Sequence, residues 1–269
     1  MKYKLFISDY DGTLGKAPAN DIDSETVKAI NEYTKKGGIF IVCSGRETLS
    51  ITRICKEQGL KGLVVSFQGA RISDIQTGEY ILDAGLDGKI ALEIIKEIKK
   101  YDLEPVCFVD NKIYFEKPTE FANRYLTNIG LQGVFGDVES VLSGKDKVVC
   151  KLCGLGSFES VNRAVNELNQ KYKGEKVLFN SGDKHLFEAI NPKYAKGQAV
   201  RFLCEKYGVP FEQVLTVGDS TNDIGLVQGP WHGVCVGDGR EELKAVAKEV
   251  TVPFDQKPIL TLLKKYCLN

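Results

Sequence analysis

The alternation of short apolar runs with amphipathic stretches in the first 70 residues is the feature that most constrains the fold. After a first strand at Lys4–Ser8, the runs at Gly38–Cys43 and Gly62–Phe67 are almost continuously hydrophobic. Such runs are typical of parallel strands that are buried on both faces of a sheet. Between these runs, apolar residues recur at helical spacing, first from Ser24 and then over Thr48–Gln58. This order predicts an α/β fold with a doubly wound, Rossmann-like parallel sheet.

The pattern changes near residue 85, where two helical segments are mixed with short strands. The helices are predicted at Lys89–Lys100 and Ser157–Lys171, and the strands at Pro105–Val109, Lys112–Glu116, Lys147–Leu152, Lys176–Asn180 and Leu186–Ile190. This mixture favours an inserted α+β domain. Asn191-Pro192 forces an extended or turn conformation, after which the sheet rhythm resumes. We therefore expect a core domain formed by 1–84 and 191–269 and an inserted domain formed by 85–190.

Two carboxylates, Asp9 and Asp11, directly follow the first strand. Because residues two apart on a strand point the same way, both side chains can face one small volume. Carboxylates held close together resist ionising at the same time, so one can remain an anion while the other keeps a proton near neutral pH. The pair can then divide the roles of nucleophile and acid. The alternative interpretation is an acidic turn after an edge strand.

Three further polar motifs lie at the ends of predicted strands or the starts of predicted helices. They are, in chain order, Ser44-Gly45-Arg46, Lys196-Gly197 and Gly218-Asp219-Ser220-Thr221-Asn222-Asp223. In a doubly wound sheet, ligands bind beyond the carboxyl ends of the strands, where the loops after separate strands converge. Asp9, Ser44 and Asp219 each follow a predicted strand, so we expect them to share one site.

Taken in this order, the four motifs resemble those of the haloacid dehalogenase superfamily of phosphatases, and the resemblance extends from Asp9 to Asp223. The long interval between the second and third motifs is similar to the Cof-type, or type IIB, subfamily, which carries a large α/β cap there. The resemblance implies a phosphoric monoester hydrolase that acts on small phosphorylated metabolites, with sugar phosphates favoured. It also implies an aspartyl-phosphate intermediate.

The resemblance implies a role for each motif residue. Asp9 would be the nucleophile, and Asp11 would act as general acid and then general base. A Mg²⁺ ion would be held by the side chains of Asp9 and Asp219 and the backbone carbonyl of Asp11, with Asp223 outside the direct ligands. The residues expected to bind the transferred phosphoryl group or to orient its ligands are Ser44, Gly45, Arg46, Lys196 and Asn222.

Cations are required because a phosphate monoester is itself an anion. A carboxylate about 4 Å away meets a repulsion of several kcal/mol at an effective dielectric near 20, and Mg²⁺ prefers hard oxygen ligands. Lys193 is an alternative to Lys196 as the cationic side chain, since lysines at helix starts are commonly solvated. Gln68-Gly69-Ala70 departs from the Asn-Gly that the family often shows after the third strand.

Two other functions fit parts of the pattern. A phosphoacceptor signalling module also joins acidic residues, a hydroxyl residue and a lysine on a doubly wound sheet, but Asp11 and the large insert argue against it. A sugar phosphomutase within the same superfamily would transfer the phosphoryl group to a sugar. Release of free phosphate would distinguish a hydrolase from both.

Composition excludes several partners. Lys and Arg together number 36, as do Asp and Glu, so no net charge attracts the chain to nucleic acid or an anionic membrane. No apolar span is long enough for a membrane helix, and the start of the chain has no signal-peptide pattern, so we expect a cytoplasmic protein with reduced cysteines. Neither the Cys150-x-x-Cys153 pair nor His185 and His232 has the spacing of a metal site.

Overall fold

The computed structural model describes residues 1–16, 21–143 and 148–268, without the side chain of Asp183. The chain divides into two compact units. The first contains Met1–Leu82 and Ala195–Asn269, and the second contains Asp83–Tyr194. In the described part of the chain, no helix is both long enough and apolar enough to span a bilayer.

Strands and helices alternate in the first unit, whereas short strands dominate the second. The strands are β1 (Leu5–Ser8), β2 (Ile39–Cys43), β3 (Leu63–Ser66), β4 (Arg71–Asp74), β5 (Tyr80–Asp83), β6 (Leu86–Asp87), β7 (Glu104–Val109), β8 (Lys112–Phe115), β9 (Val134–Phe135), β10 (Val148–Val149), β11 (Lys151–Leu155), β12 (Leu178–Asp183), β13 (Leu186–Ile190), β14 (Val214–Gly218), β15 (His232–Cys235) and β16 (Glu249–Val250). The helices are α1 (Ser24–Lys35), α2 (Thr48–Glu57), α3 (Gly88–Lys99), α4 (Glu120–Ile129), α5 (Val138–Leu142), α6 (Phe158–Tyr172), α7 (Lys196–Tyr207), α8 (Ile224–Val227), α9 (Glu241–Lys244) and α10 (Pro258–Leu263).

The sheet of the first unit is doubly wound. Its described strands lie in the order β16-β15-β14-β1-β2-β3-β4-β5, and the pairs from β16 to β3 are parallel. Alternate residues of β1 point to opposite faces, so Phe6 packs with α1, α2 and α10, whereas Leu5 and Ile7 pack with α7. The predicted α/β class is confirmed, and its central strand is the one that leads to Asp9.

The second unit is an α+β arrangement. Its main sheet has the order β12-β13-β11-β7-β8-β9, in which neighbours are antiparallel except β8 and β9. Apolar residues of α3, α5 and α6 pack with one face of this sheet to form its core. A separate antiparallel pair joins β6 to β10.

The sequence-based element assignment for this unit is wrong in two places. Two helices, α4 and α5, were not predicted: α5 has only 5 residues, and the helical spacing of Phe121, Tyr125 and Ile129 in α4 was overlooked. Their signals are local: Thr119 accepts from the amide of Ala122, and Asp137 caps α5. The strand predicted at Lys147–Leu152 is two strands, β10 and β11, which belong to different sheets, and Lys147 itself lies outside the described residues.

Candidate active site

The carboxyl ends of β1 and β14 form the centre of the candidate site. These strands are parallel neighbours at the middle of the sheet. The strand after β1, which is β2, lies beside β1, and the strand after β14, which is β15, lies beside β14 in the opposite direction along the sheet. Such a reversal of strand order opens a crevice between the loops that follow the two strands. Asp9 and Asp219 directly follow β1 and β14, and the amide of Asp9 donates to the carbonyl of Val217 at 2.9 Å.

Three aspartates meet in this crevice. Among the described residues, one carboxylate oxygen from each of Asp9, Asp219 and Asp223 lies within 4.8 Å of the others. Burial, reinforced by the charge of Asp223, raises the pKa of Asp9 well above its usual value, although Lys196 opposes this shift. Burial and Asp223 likewise raise the pKa of Asp219 to about 7. A divalent cation would relieve this repulsion, and carboxylate oxygens are the ligands that Mg²⁺ prefers.

Lys196, at the first position of α7, joins two of the aspartates. Its Nζ donates to Asp9 Oδ1 at 2.5 Å and to Asp223 Oδ1 at 2.7 Å, and its side chain is 1% exposed. Burial alone would lower the pKa of Lys196, but the charges of Asp223 and Asp9 outweigh it and raise that pKa well above its usual value. Lys193 is exposed. The ammonium that faces Asp9 is therefore that of Lys196.

Gly197 explains why this lysine begins its helix here. A Cβ atom at position 197 would collide with the backbone carbonyl of Gly225 in α8. The glycine therefore lets α7 approach α8 closely and brings Lys196 to the aspartates.

Asp223 also fixes the loop after β14. Its Oδ2 accepts from the amides of Asp219 at 3.1 Å and Ser220 at 3.2 Å, while its Oδ1 accepts from Lys196. Asp223 and Ser220 form a reciprocal capping box at the start of the turn. Both oxygens of Asp223 are thus used within the protein, and they orient Asp219 and Lys196.

Asp11 is held by Arg46. The Arg46 Nε donates to Asp11 Oδ2 at 2.8 Å, and Nη2 donates to Oδ1 at 2.6 Å. The guanidinium carbon also lies 4.9 Å from the centre of the Tyr10 ring. Arg46 was predicted to bind phosphate; its guanidinium is paired with a carboxylate that was predicted to be the acid.

Gly12 brings the loop after β1 against the loop after β14. It has a φ of 80°, and a Cβ atom there would lie 2.6 Å from Asp219 Oδ2. The glycine thus allows the loop that contains Asp11 to approach the loop that contains Asp219.

The loop after β2 carries Ser44 and Gly45. The Ser44 side chain is fully buried, and its Oγ accepts from the amide of Arg46 at 3.1 Å. The Ser44 amide donates to the carbonyl of Val65 at 2.9 Å. These bonds form a compact turn at the end of the strand next to β1.

Gln68 is a buried polar residue that was not among the predicted site residues. It is 4% exposed, and its Oε1 accepts from Asn222 Nδ2 at 3.3 Å. The amide of Gln68 donates to the carbonyl of Ser44 at 3.1 Å. The sequence signal was the departure from Asn-Gly after the third strand.

Sequence comparisons find relatives that are named phosphatases. The family profile of the haloacid dehalogenase-like hydrolases matches residues 6–263. Phosphatase YwpJ of Bacillus subtilis is 25% identical over 97% of this chain and 99% of its own length. The HMP-PP phosphatase of Serratia proteamaculans is 23% identical, with 93% of this chain and 89% of that protein covered.

A solved structure shares the fold. The HAD subclass IIB sugar phosphatase BT4131 superposes with a TM-score of 0.81 at 18% identity, over 99% of this chain and 100% of that one. The family match extends over nearly the whole chain and includes all the motifs that surround the aspartate crevice. The chain therefore belongs to the haloacid dehalogenase-like hydrolases.

Proposed function

We propose that this protein is a Mg²⁺-dependent phosphatase that hydrolyses small phosphorylated metabolites through a phosphorylated Asp9. The observation that carries the proposal is the buried contact of Lys196 with both Asp9 and Asp223, beside Asp219. A buried carboxylate next to a buried cation, at the carboxyl end of a central strand, is suited to attack an anionic phosphorus centre.

The residues fit a divalent cation. The side chains of Asp9 and Asp219 and the backbone carbonyl of Asp11 would hold it, since Asp223 already bonds Lys196 and two backbone amides. The raised pKa values of Asp9 and Asp219 indicate excess negative charge that such an ion would neutralise. When bound, Mg²⁺ supplies charge stabilisation for the phosphoryl oxygens.

Asp9 is the proposed nucleophile. Its carboxylate oxygen forms a bond to phosphorus while the bond from phosphorus to the ester oxygen breaks. Lys196 orients the Asp9 carboxylate through Oδ1 and reduces the repulsion between two anions. In the second half of the reaction, water attacks the phosphorus, inorganic phosphate leaves and the Asp9 carboxylate is restored.

Asp11 is the proposed acid and base. It protonates the departing alcohol oxygen and then takes a proton from the attacking water, so one proton is returned in each turnover. Arg46 holds Asp11 by both oxygens, and we assign Arg46 to the positioning of that carboxylate.

The transferred phosphoryl group is proposed to bind the hydroxyl of Ser44, the amide of Gly45 and the ammonium of Lys196, with Asn222 as a further donor. These groups lie on the loops after β2 and β14 and at the start of α7. Donors on separate rigid elements can surround a tetrahedral group without rearrangement during the reaction.

The proposed substrates are small phosphate monoesters, with sugar phosphates favoured. One similar protein is named a sugar phosphatase and another an HMP-PP phosphatase. The balance of 36 basic and 36 acidic side chains gives no general attraction for polyanions. A small metabolite is therefore a better candidate than nucleic acid.

Hydrolysis of a panel of phosphorylated metabolites, ranked by kcat/KM from released phosphate, tests the proposal. We expect turnover that needs Mg²⁺, stops with EDTA and is lost in Asp9→Asn. The matched control is Asp255→Asn, at an exposed aspartate of the same unit, which should keep full activity. Normal turnover by Asp9→Asn would contradict the covalent step.

The same assay separates the two alternatives. A signalling module would accumulate a stable acyl phosphate without repeated release of phosphate. A phosphomutase would yield an isomeric sugar phosphate in place of inorganic phosphate. Either result would overturn the proposed hydrolase.

A further inference from the structure

The backbone after β3 adopts a conformation that needs support from its surroundings. Phe67 and Gln68 have φ values of 52° and 60°, and Gly69 follows with 116°. Left-handed conformations are uncommon for residues other than glycine, especially for a bulky aromatic residue. Such outliers persist where neighbouring structure over-determines them, and they cluster at functional sites.

Two backbone hydrogen bonds hold this turn against the loop after β2. The amide of Phe67 donates to the carbonyl of Arg46 at 2.9 Å, and that of Gln68 donates to the carbonyl of Ser44 at 3.1 Å. The unusual turn therefore fixes the backbone on both sides of Gly45, whose amide is a proposed phosphate ligand.

The Gln68 side chain extends the connection to the loop after β14. Its Oε1 accepts from Asn222 Nδ2 at 3.3 Å. Its amide group also lies against Gly45, where any Cβ atom would collide with Nε2. One buried side chain thus contacts both loops that carry the proposed phosphoryl donors.

We propose that Gln68 is a positioning residue that sets the spacing between the Ser44–Gly45 turn and the Asn222 amide for phosphoryl binding. The inference rests on the proposed phosphatase function, because the ligand of these donors is the phosphoryl group. The length of the side chain is essential. From the same backbone position, asparagine is shorter by one methylene and cannot make both contacts.

Inhibition by inorganic phosphate in the presence of Mg²⁺ tests this role without depending on the chemical step. We expect Gln68→Ala and Gln68→Asn to raise the Ki of phosphate by about 10- to 100-fold, since small displacements of positioning groups have effects of this size. Asn222→Ala should raise it similarly. The double variant Gln68→Ala/Asn222→Ala should raise the Ki more than either single change but by less than the product of the two effects, because the two changes share one contact.

Gln76→Ala is the matched control. The Gln76 side chain also joins two segments, accepting from the amide of Gly62 and donating to the carbonyl of Leu60, each at 3.0 Å. Its loss should lower the melting temperature without changing the Ki of phosphate. If the Gln68 variants behave in the same way, Gln68 has a purely structural role and the proposal is wrong.

The wild-type protein separates this inference from the proposed function. If it neither hydrolyses phosphate esters nor binds phosphate, the phosphatase proposal fails and the role of Gln68 fails with it. If the wild type is active and the Gln68 variants keep its Ki, then only the positioning role is overturned. Should Gln68→Ala fail to fold, Gln68→Asn tests the same role.

Discussion

Arg46 grips Asp11 with two parallel hydrogen bonds of 2.8 Å and 2.6 Å. A planar guanidinium matches a carboxylate in this way, whereas a lysine ammonium acts as a point charge. The contact joins the loop after β2 to the loop after β1. It therefore fixes the position of Asp11, the proposed acid, relative to the ester oxygen.

Arg46→Lys tests this contact because it keeps the positive charge and removes the planar guanidinium that donates two hydrogen bonds to Asp11. We expect kcat/KM for alkyl phosphates, which need protonation of a poor leaving group, to fall by about 100-fold. For p-nitrophenyl phosphate, a good leaving group, the loss should be only a few-fold. Arg53→Lys, an exposed arginine of α2, is the control. Equal losses for both esters, together with a raised Ki for phosphate, would show that Arg46 binds the phosphoryl group.

Lys196→Met removes the buried ammonium between Asp9 and Asp223. We expect kcat to fall by about 100- to 1,000-fold, as for the loss of one charge-stabilising donor. We also expect a lower melting temperature, because two buried carboxylates lose their counter-charge. Lys193→Met, at an exposed position, should match the wild type in both measurements. A severe effect of Lys193→Met with a mild one of Lys196→Met would reverse the assignment.

Much of this arrangement could be predicted from the sequence because it depends on strand ends. Asp9, Ser44 and Asp219 each follow a strand of the parallel sheet, and parallel strands bring such positions to one edge. The family suggested by the motifs is confirmed by the profile match. The domain boundaries predicted after residues 84 and 190 remain predictions, whereas the two compact units of the structure change after Leu82 and Tyr194.

The missed features depend on contacts between distant residues. No spacing rule indicates that Arg46 would meet Asp11, or that Gln68 would reach Asn222, which is 154 positions away. Helix α4 is different, because Phe121, Tyr125 and Ile129 recur at the spacing of one helix face and could have been detected in the sequence.

Metal binding should change how stability depends on pH. In the folded protein, burial and Asp223 raise the pKa of Asp219 to about 7, from 3.8. A folded state that binds more protons than the unfolded state loses stability as pH rises. With EDTA, we therefore expect the melting temperature of the wild type, relative to that of Asp219→Asn, to fall between pH 4 and 7.

Asp219→Asn should lack this contribution, keep the one that the raised pKa of Asp9 makes, and show weaker stabilisation by Mg²⁺. In the wild type, Mg²⁺ at 100 times its Kd should add about 2.7 kcal/mol to the free energy of unfolding. Thermal unfolding with EDTA or with Mg²⁺, at several pH values, measures both effects. An equal Mg²⁺ stabilisation in Asp219→Asn would place the ion elsewhere.

A second buried ion pair lies in the second unit, between Lys151 of β11 and Glu188 of β13. The side chains are 6% and 3% exposed. Because the carboxylate charge would be lost while the ammonium stays buried, Glu188→Gln should reduce the free energy of unfolding by about 3–5 kcal/mol. Glu241→Gln, which breaks a surface pair with Lys244 at an 85% exposed side chain, should change it by less than about 1 kcal/mol.

The pH dependence of stability tests whether the loss in Glu188→Gln comes from the unpaired ammonium of Lys151. Burial would lower the pKa of Lys151, but Glu188 outweighs burial and raises it above its usual value. The wild-type pair therefore stabilises the fold below the unfolded pKa of about 10.5, and this stabilisation is lost as pH rises through the folded value. In Glu188→Gln, burial prevails and lowers the pKa of Lys151, so the variant should regain stability between pH 7 and 10. Unfolding at both pH values measures this gain, and a flat profile would contradict it.

Gly197 and Gly225 face each other between α7 and α8 but differ in the space around them. A methyl group at 197 would meet the backbone carbonyl of Gly225, which cannot rotate away, whereas one at 225 would lie 3.6 Å from its nearest neighbour, the amide nitrogen of Gly197. Gly197→Ala should therefore shift α7, displace Lys196 from Asp9 and lower kcat by about 100-fold. Gly225→Ala should keep kcat within a few-fold of the wild type. Equal losses in the two variants would mean that the closeness of the helices, rather than the position of Lys196, determines activity.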